Sequence, residues 1–520
     1  MQAKAAVLRG SVPKWLPFVL IFLLAAVLRL WAFGTVPGGL NQDEASIGYD
    51  AWSILHYGID RNGIRLPVHL IAWGSGQNAL YAYLSMPFIA VMGLTVASVR
   101  MVNLLFGLAS VALVFLILRR LSGLRCAYIG MALAAVAPWC IMVSRWGLES
   151  NLFPGLFLLA FYVLLAGLDR HGLLPLAAGL MALCLYAYGA AYLVVPVFCV
   201  AAAVYMLVRR KIPLRWLFAS VGVFVIVALP IALFVLTNLF HWGDIRIFGF
   251  TAPEMTGVTR MATATQSHSL LDSLSYFFRN VILQEDGMVG NQVPGYGTLY
   301  LISLPFTVYG VYAAVRRCRR EKASAWILVT VWLAAGLLLF LVYAWTNINR
   351  VNIVYPAMLL FTALGLDRLC SGRRKLAAVG ACYAVLLCGF CTQYFGPHNE
   401  KTSAAFFASF GEAIQAAEAL AGEEDTVYVT SDVNAPYIYA LFYTRTPPQD
   451  YLDTVQIPKR EVEFQWVSSF GHFVFDTSPL SRRAPGIYVL PNSRLEAEPS
   501  LPEPAAQFAR YSVVCIPAED

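Results

Sequence analysis

The sequence predicts a polytopic α-helical membrane protein with a small C-terminal α/β domain. Three observations carry that prediction. Of 520 residues, 59% are hydrophobic and 13% are charged, with a mean hydropathy of +0.64, whereas a soluble domain carries roughly a quarter charged residues. Apolar runs long enough to cross a hydrocarbon core about 30 Å thick recur along the chain. After Phe395 the composition becomes mixed and acid-rich, and no further run of that kind occurs.

The expected spans are 16–33, 99–118, 126–143, 152–168, 172–190, 192–208, 216–237, 297–315, 324–345, 353–369 and 376–395, which makes eleven. Their orientation follows from Lys and Arg, which are retained on the cytoplasmic side. Lys4, Arg9 and Lys14 precede the first span. Arg119-Arg120 with Arg125, Arg170, Arg209-Arg210-Lys211 with Arg215, Arg316-Arg317 through Lys322, and Arg368 with Arg373-Arg374-Lys375 separate later ones. This pattern places the N-terminus inside and the C-terminus outside the cytoplasmic membrane. The first run lacks a clear small-residue cleavage site and reads as a retained signal anchor. The segment 79–95 is apolar, but counting it as a span would invert every later cluster. It reads instead as interfacial, part of one external loop over 34–97. A second large external loop covers 238–296. Within 396–520, the stretch 402–421 has helical periodicity, and 426–430, 487–490 and 511–516 read as strands. The expected domains are therefore a transmembrane catalytic unit, 1–395, and an extracytoplasmic soluble unit, 396–520.

Six of the ten cysteines (Cys140, Cys184, Cys199, Cys382, Cys388 and Cys391) lie inside apolar runs, where Cys packs as a small hydrophobe. No spacing suggests a zinc knuckle or a disulfide framework. The basic runs serve topology and anionic lipid, with no sign of nucleic-acid binding.

The stretch around which function is organised runs from Asn41 to Asp50. Gly34, Pro37, Gly38 and Gly39 turn the chain as it leaves the first span, and Asp43-Glu44 then face the membrane boundary. Acids are costly beside hydrocarbon, so a pair placed there asks for a purpose. Attack of a hydroxyl on a sugar carbon with a lipid phosphate as leaving group supplies one. A carboxylate takes or orients the proton. Guanidinium groups bind the phosphate as its charge grows. Asp43 and Glu44 suit the first role; Arg145, Arg350 and Arg279 suit the second. The chemistry leaves room for a divalent ion held by the acids and a histidine, with His268 as the candidate and oxygen ligands favouring magnesium or manganese. Asp50, Trp73, Gln77, Asn78, Glu149 and Asp286 are candidate contacts to acceptor or sugar, although Asp50 also reads as a local cap and Trp73 as an interfacial belt residue.

These motifs resemble a family. Asp43-Glu44, the run from Leu80-Tyr81 to Phe88 with Gly93 and Val99-Arg100, Ser144-Arg145, Gly297-Thr298-Leu299-Tyr300 with Leu304-Pro305, and Asn349-Arg350 with Tyr355-Pro356-Ala357 are similar in order to the protein-O-mannosyltransferase and aminoarabinose-transferase group. These are family 39 glycosyltransferases of the GT-C fold, and the resemblance covers roughly 10–395. It implies a GT-C transmembrane unit and a polyprenyl-phosphate sugar donor. It also implies inverting transfer at the outer face to a lipid, glycan or protein acceptor. Members often carry Lys-Pro-Pro where this chain reads Gly76-Gln77-Asn78, so a lysine that would touch phosphate is missing. The rival classes are a lipid or polysaccharide transporter and a non-catalytic relative in envelope assembly. Transporters favour ionisable groups at mid-membrane and repeated halves, whereas here the charges gather in loops.

Overall fold

The computed structural model describes all residues except 1–12, 14, 74–75, 210–211, 256–267, 322–323, 423, 460–464 and 518–520. Lys4, Arg9, Lys14, Arg210, Lys211 and Lys322 therefore lie outside the described residues.

Each of the eleven expected segments coincides with helix. Among the described residues, five helices are long and apolar enough to cross a membrane: Val96–Ser122, Glu149–Gly167, Ala191–Val208, Leu214–Phe240 and Arg373–Tyr394. Others are shorter, including Leu16–Leu30, Leu124–Val136 and Trp326–Val342. Local chemistry explains the breaks. The segment 126–143 is cut at Ala137, where Pro138 removes a backbone donor and opens the six-residue helix Pro138–Val143. The segment expected from 297 becomes helical only at Leu301, because Gln284 Oε1 accepts Leu299 N–H (2.8 Å) and the Thr298 hydroxyl (3.0 Å) and holds that strand of chain irregular. Helices Leu304–Arg320 and Val354–Leu369 cross with their backbones touching. A Cβ on Gly310 would lie 1.9 Å from Phe361 O, and one on Gly365 2.0 Å from Phe306 O, so the crossing requires glycine on both sides.

Two ends of the bundle are chemically distinct. At one, Arg120 pairs with Asp169, Arg125 with Asp367 (3.2 Å), and Arg317 donates to Leu121 O (2.9 Å). At the other, Asn103 donates to Trp146 O and Leu148 O (2.7 and 2.8 Å), Asn352 to Ser150 O (2.7 Å) and Ile348 N–H to Asp286 (2.9 Å). The external loops 34–97 and 238–296 are thus joined there to the short turns 144–151 and 346–352, with Glu44 also accepting Gly147 N–H.

The C-terminal region carries a six-stranded mixed sheet in the order Ser469–Phe470, Phe473–Val474, Val427–Val429, Gly486–Pro491, Tyr511–Ile516, Ala506–Gln507. Val427–Val429 runs parallel to both its neighbours, and Gly486–Pro491 and Tyr511–Ile516 pair antiparallel over six residues. All three expected strands are present. The expected helix 402–421 is instead two, Pro397–Ala405 and Phe410–Leu420. The break is made by docking. Phe407 and Ser409 adopt positive φ (51° and 67°), and Phe406 O turns out to accept Leu40 N–H at 2.9 Å. Gly39 (φ 80°) meets it there with no room for a Cβ, which would lie 2.2 Å from that oxygen. Helix Pro436–Thr444 packs on the N-terminal part of the chain, with Tyr439 Oη donating to Leu40 O (2.9 Å) and Tyr49 Oη to Thr446 O (2.6 Å).

Candidate active site

The stretch from Asn41 is a helix and not a loop. We call Leu16–Leu30 α1 and Gln42–Tyr57 α2. Asn41 caps α2: its side chain accepts from Asp43 N–H (2.9 Å), while Glu44 Oε2 accepts from Asn41 N–H (3.1 Å). This reciprocal arrangement satisfies two otherwise orphaned donors. It also points the two neighbouring acids in different directions.

Glu44 is fully buried against Arg100, also fully buried, with contacts of 2.7 and 2.9 Å. Gly147 N–H adds a third donor at 2.7 Å, and Arg100 spends its remaining hydrogens on Pro37 O and Gly39 O. Both Glu44 oxygens are consumed, so the carboxylate ties α2 to Val96–Ser122 and leaves no lone pair to face a substrate. Asp50 is likewise buried and paired with Arg61 (3.1 Å), whose own N–H also reaches it at 3.2 Å. Asp60 sits close by, and burial with the neighbouring Asp50 charge pushes its carboxyl up to about 7.

Asp43 is half-buried, and one oxygen accepts the Trp73 indole N–H (3.3 Å). Among the described residues its other oxygen has no protein donor. Gln77 reaches the Asp43 backbone oxygen (3.5 Å) and accepts from Ser46, which in turn accepts from Arg61. The Arg61 guanidinium lies 5.5 Å from the centre of the Trp73 ring. Asp43, Trp73, Gln77 and Arg61 therefore form one connected group. Asp43 opens into a cavity of about 140 Å³ whose far wall belongs to the C-terminal region: Asn434, Tyr437, Gln465 and Trp466. Gln465 N–H donates to Trp73 O (2.9 Å), closing the two walls together.

The arginines do not converge on this cavity. Arg145 is buried and donates to the carbonyls of Leu28, Arg29, Trp31, Ala32 and Val36 at 2.7–3.3 Å. It caps the orphaned carbonyls at the end of α1, which removes it as a phosphate ligand. Arg279 is exposed and donates to Asp286 O (3.3 Å). Arg350 is half-buried, 3.5 Å from the centre of the Trp345 ring. Asp286 accepts from Asn291 (2.6 Å), Met288 N–H and Ile348 N–H, so it ties two loops together. Arg279 meets Asp286, and Asp286 meets the turn 346–352 that carries Arg350; none of the three lines the Asp43 cavity. Asn78 is buried against Leu185 O (3.1 Å) and Tyr192 Oη (3.2 Å), and Glu149 is buried at the start of Glu149–Gly167.

The metal expectation does not fit this donor set. Magnesium and manganese take several oxygen ligands, and Asp43 is the one acid of the stretch not already paired with arginine. His268 lies near Asp272. Among the described residues no group of three or more His, Cys, Asp and Glu gathers.

Sequence reasoning missed Arg61, Arg100 as the Glu44 partner, and the wall from the C-terminal region. Nothing local marks Arg61, which sits in the polar turn Asp60-Arg61-Asn62-Gly63. The wall, Asn434 to Trp466, comes from a part of the chain far beyond Asp43 in sequence.

ArnT from Cupriavidus metallidurans, in the apo state and bound to undecaprenyl phosphate, superposes with a TM-score of 0.62 at 16% identity, over 97% of this chain and 99% of that one. The chain has the GT-C fold. The Archaeoglobus fulgidus oligosaccharyltransferase also aligns, with a TM-score of 0.46 at 13% identity, over 93% of this chain and 70% of that one. No protein-family model matches the sequence, and no curated protein matches it. Of the three acids in the stretch from Asn41 to Asp50, Asp43 stays open while Glu44 and Asp50 are locked to arginines.

Proposed function

We propose that the protein is a membrane glycosyltransferase that moves a sugar from a polyprenyl-phosphate donor to an acceptor at the outer face of the cytoplasmic membrane. One observation carries the reading: Asp43 is the carboxylate left half-open at the mouth of a cavity, at the end of the bundle away from the arginine-rich end. The ArnT crystallised with undecaprenyl phosphate shares the fold over nearly the whole length of both chains, which supports a lipid-linked donor.

In this reading Asp43 accepts the proton of the acceptor hydroxyl as that oxygen attacks the anomeric carbon. The bond to the phosphate oxygen breaks in the same step, and the anomeric centre inverts. The Trp73 indole holds one Asp43 oxygen and leaves the other to the acceptor. Placing the acid within hydrogen-bond reach of the hydroxyl contributes about 10²–10⁴-fold. The donor phosphate is held outside the Asp43 cavity, with Arg350 and Arg279 the two candidates left once Arg145 is spent on backbone carbonyls, and Glu44 only positions α2. The acceptor approaches past the C-terminal region, which caps the cavity. The chain from 1 to 395 holds the chemistry and 396–520 shapes access to it.

The test is comparison of polyprenyl-phosphate sugars in lipid extracts, with envelope glycans, from cells with the protein, without it, and with Asp43→Asn. The donor should accumulate in the last two. Equal donor levels in all three would remove the assignment.

A further inference from the structure

The cleft that Asp43 opens into has a composition of its own. Three aromatic rings, Trp73, Tyr437 and Trp466, and three primary amides, Gln42, Asn434 and Gln465, line it. Among the described residues Asp43 is the one charged group that lines it. Arg61, which packs on the Trp73 ring, does not line the cleft, is 2% exposed and is paired with Asp50 at 3.1 Å. At about 140 Å³ the cavity is smaller than the roughly 300–1,000 Å³ of a drug-sized site.

We propose that this cleft is a subsite for one non-anionic pyranose ring, with Asn434, Gln465 and Trp466 of the C-terminal region setting its specificity. The proposal rests on the glycosyltransferase reading and deepens it by assigning a substrate class to one place. A pyranose has an apolar face of C–H bonds and an edge of hydroxyls. Aromatic rings match the face, and amides, which both donate and accept, match the edge. A phosphate or a uronic carboxylate would find no cation among the described lining residues and would meet the Asp43 charge at short range. The donor phosphate must therefore sit elsewhere.

The walls are built. Trp73 (φ 58°) and Ala435 (φ 51°) both line the cleft and sit in the left-handed region, which non-glycine residues rarely adopt. Such strain persists only where surroundings enforce it and gathers at ligand sites. Here Gln465 N–H holds Trp73 O at 2.9 Å and Asp43 holds the indole. Tyr437 is fixed by the Tyr451 ring stacked on it (6.2 Å, 8°) and by the edge of Trp73 (6.0 Å, 76°). Trp466, 41% exposed, forms the rim.

The experiment is saturation-transfer NMR on the full-length protein in nanodiscs, with methyl β-D-glucopyranoside, methyl β-D-galactopyranoside and methyl β-D-glucuronide as separate probes. At least one neutral pyranoside should receive saturation, the glucuronide at least fivefold less. Trp466→Ala and Asn434→Ala should each cut the neutral signal at least fivefold; both residues are exposed, so the fold should survive, which an unchanged melting temperature verifies. Silence from both neutral probes, an equal glucuronide signal, or full signal in both variants overturns the subsite. The readout needs no turnover. Sugar binding with undiminished transfer by Asp43→Asn would sink the catalytic reading and leave the subsite standing; the reverse outcome would do the opposite.

Discussion

Asp43 and Glu44 are adjacent on the first turn of α2 and lead opposite lives. Glu44 faces the bundle, where Arg100, Gly147 and Asn41 take both its oxygens. Asp43 faces the C-terminal region, holds one indole and keeps an open side. A rotation of about 100° per residue around the helix separates them. An acidic pair is thus two devices: one carboxylate spent on architecture so that the other can be presented at a fixed angle.

Substitutions at the two positions break this comparison most sharply. Asp43→Asn should lower sugar transfer by about 10²–10⁴-fold while leaving the melting temperature within a degree or two, read on the purified protein. Similar losses of stability at both positions would erase the distinction. Glu44→Ala should act on folding. It strands the buried Arg100 charge, a loss of about 3–5 kcal/mol, visible as a lower melting temperature and poor recovery from membranes. Glu44→Ala with Arg100→Leu should recover part of that loss.

Arg145→Ala extends the contrast to the guanidinium groups. It leaves buried carbonyls at the end of α1 without donors, each at about 1–3 kcal/mol, so stability should fall while donor affinity in surviving protein stays. Arg350→Ala should do the reverse, costing about 0.5–1 kcal/mol through its lost aromatic contact and raising the KM for the lipid donor several-fold. The smallest effect concerns pH. Asp60, pushed up to about 7 by burial and Asp50, binds a proton in the folded chain that the unfolded chain has released above about 4. Stability should fall as pH rises from about 4 through 7 and then level off. Asp60→Asn should flatten that slope in melting curves recorded from pH 5 to 8.

Much of the fold was legible because hydrocarbon is an unforgiving solvent: long apolar runs have few alternatives to helix, and the strands at 427–429, 486–491 and 511–516 carry β-branched and aromatic residues in short blocks. The site was legible only in part. Asp43 stands out by its place after the first span, and Trp73 and Gln77 do join it. The arginines misled because a guanidinium near a span end serves equally to bind phosphate or to satisfy backbone carbonyls, and sequence does not say which oxygens are near. The break at 406–409 was hidden for a similar reason, since the periodicity of 402–421 is helical and only the docking of Leu40 interrupts it.

The sequence alone determined where the chain is apolar, where it turns, and that acids follow the first span, because solvent transfer and backbone chemistry act residue by residue. Only the tertiary structure decided which acid stays open and which arginines are spent. Those outcomes depend on partners such as Arg100, the carbonyls of α1 and the wall from Asn434 to Trp466. They are brought together by packing across tens to hundreds of residues, which no local pattern records.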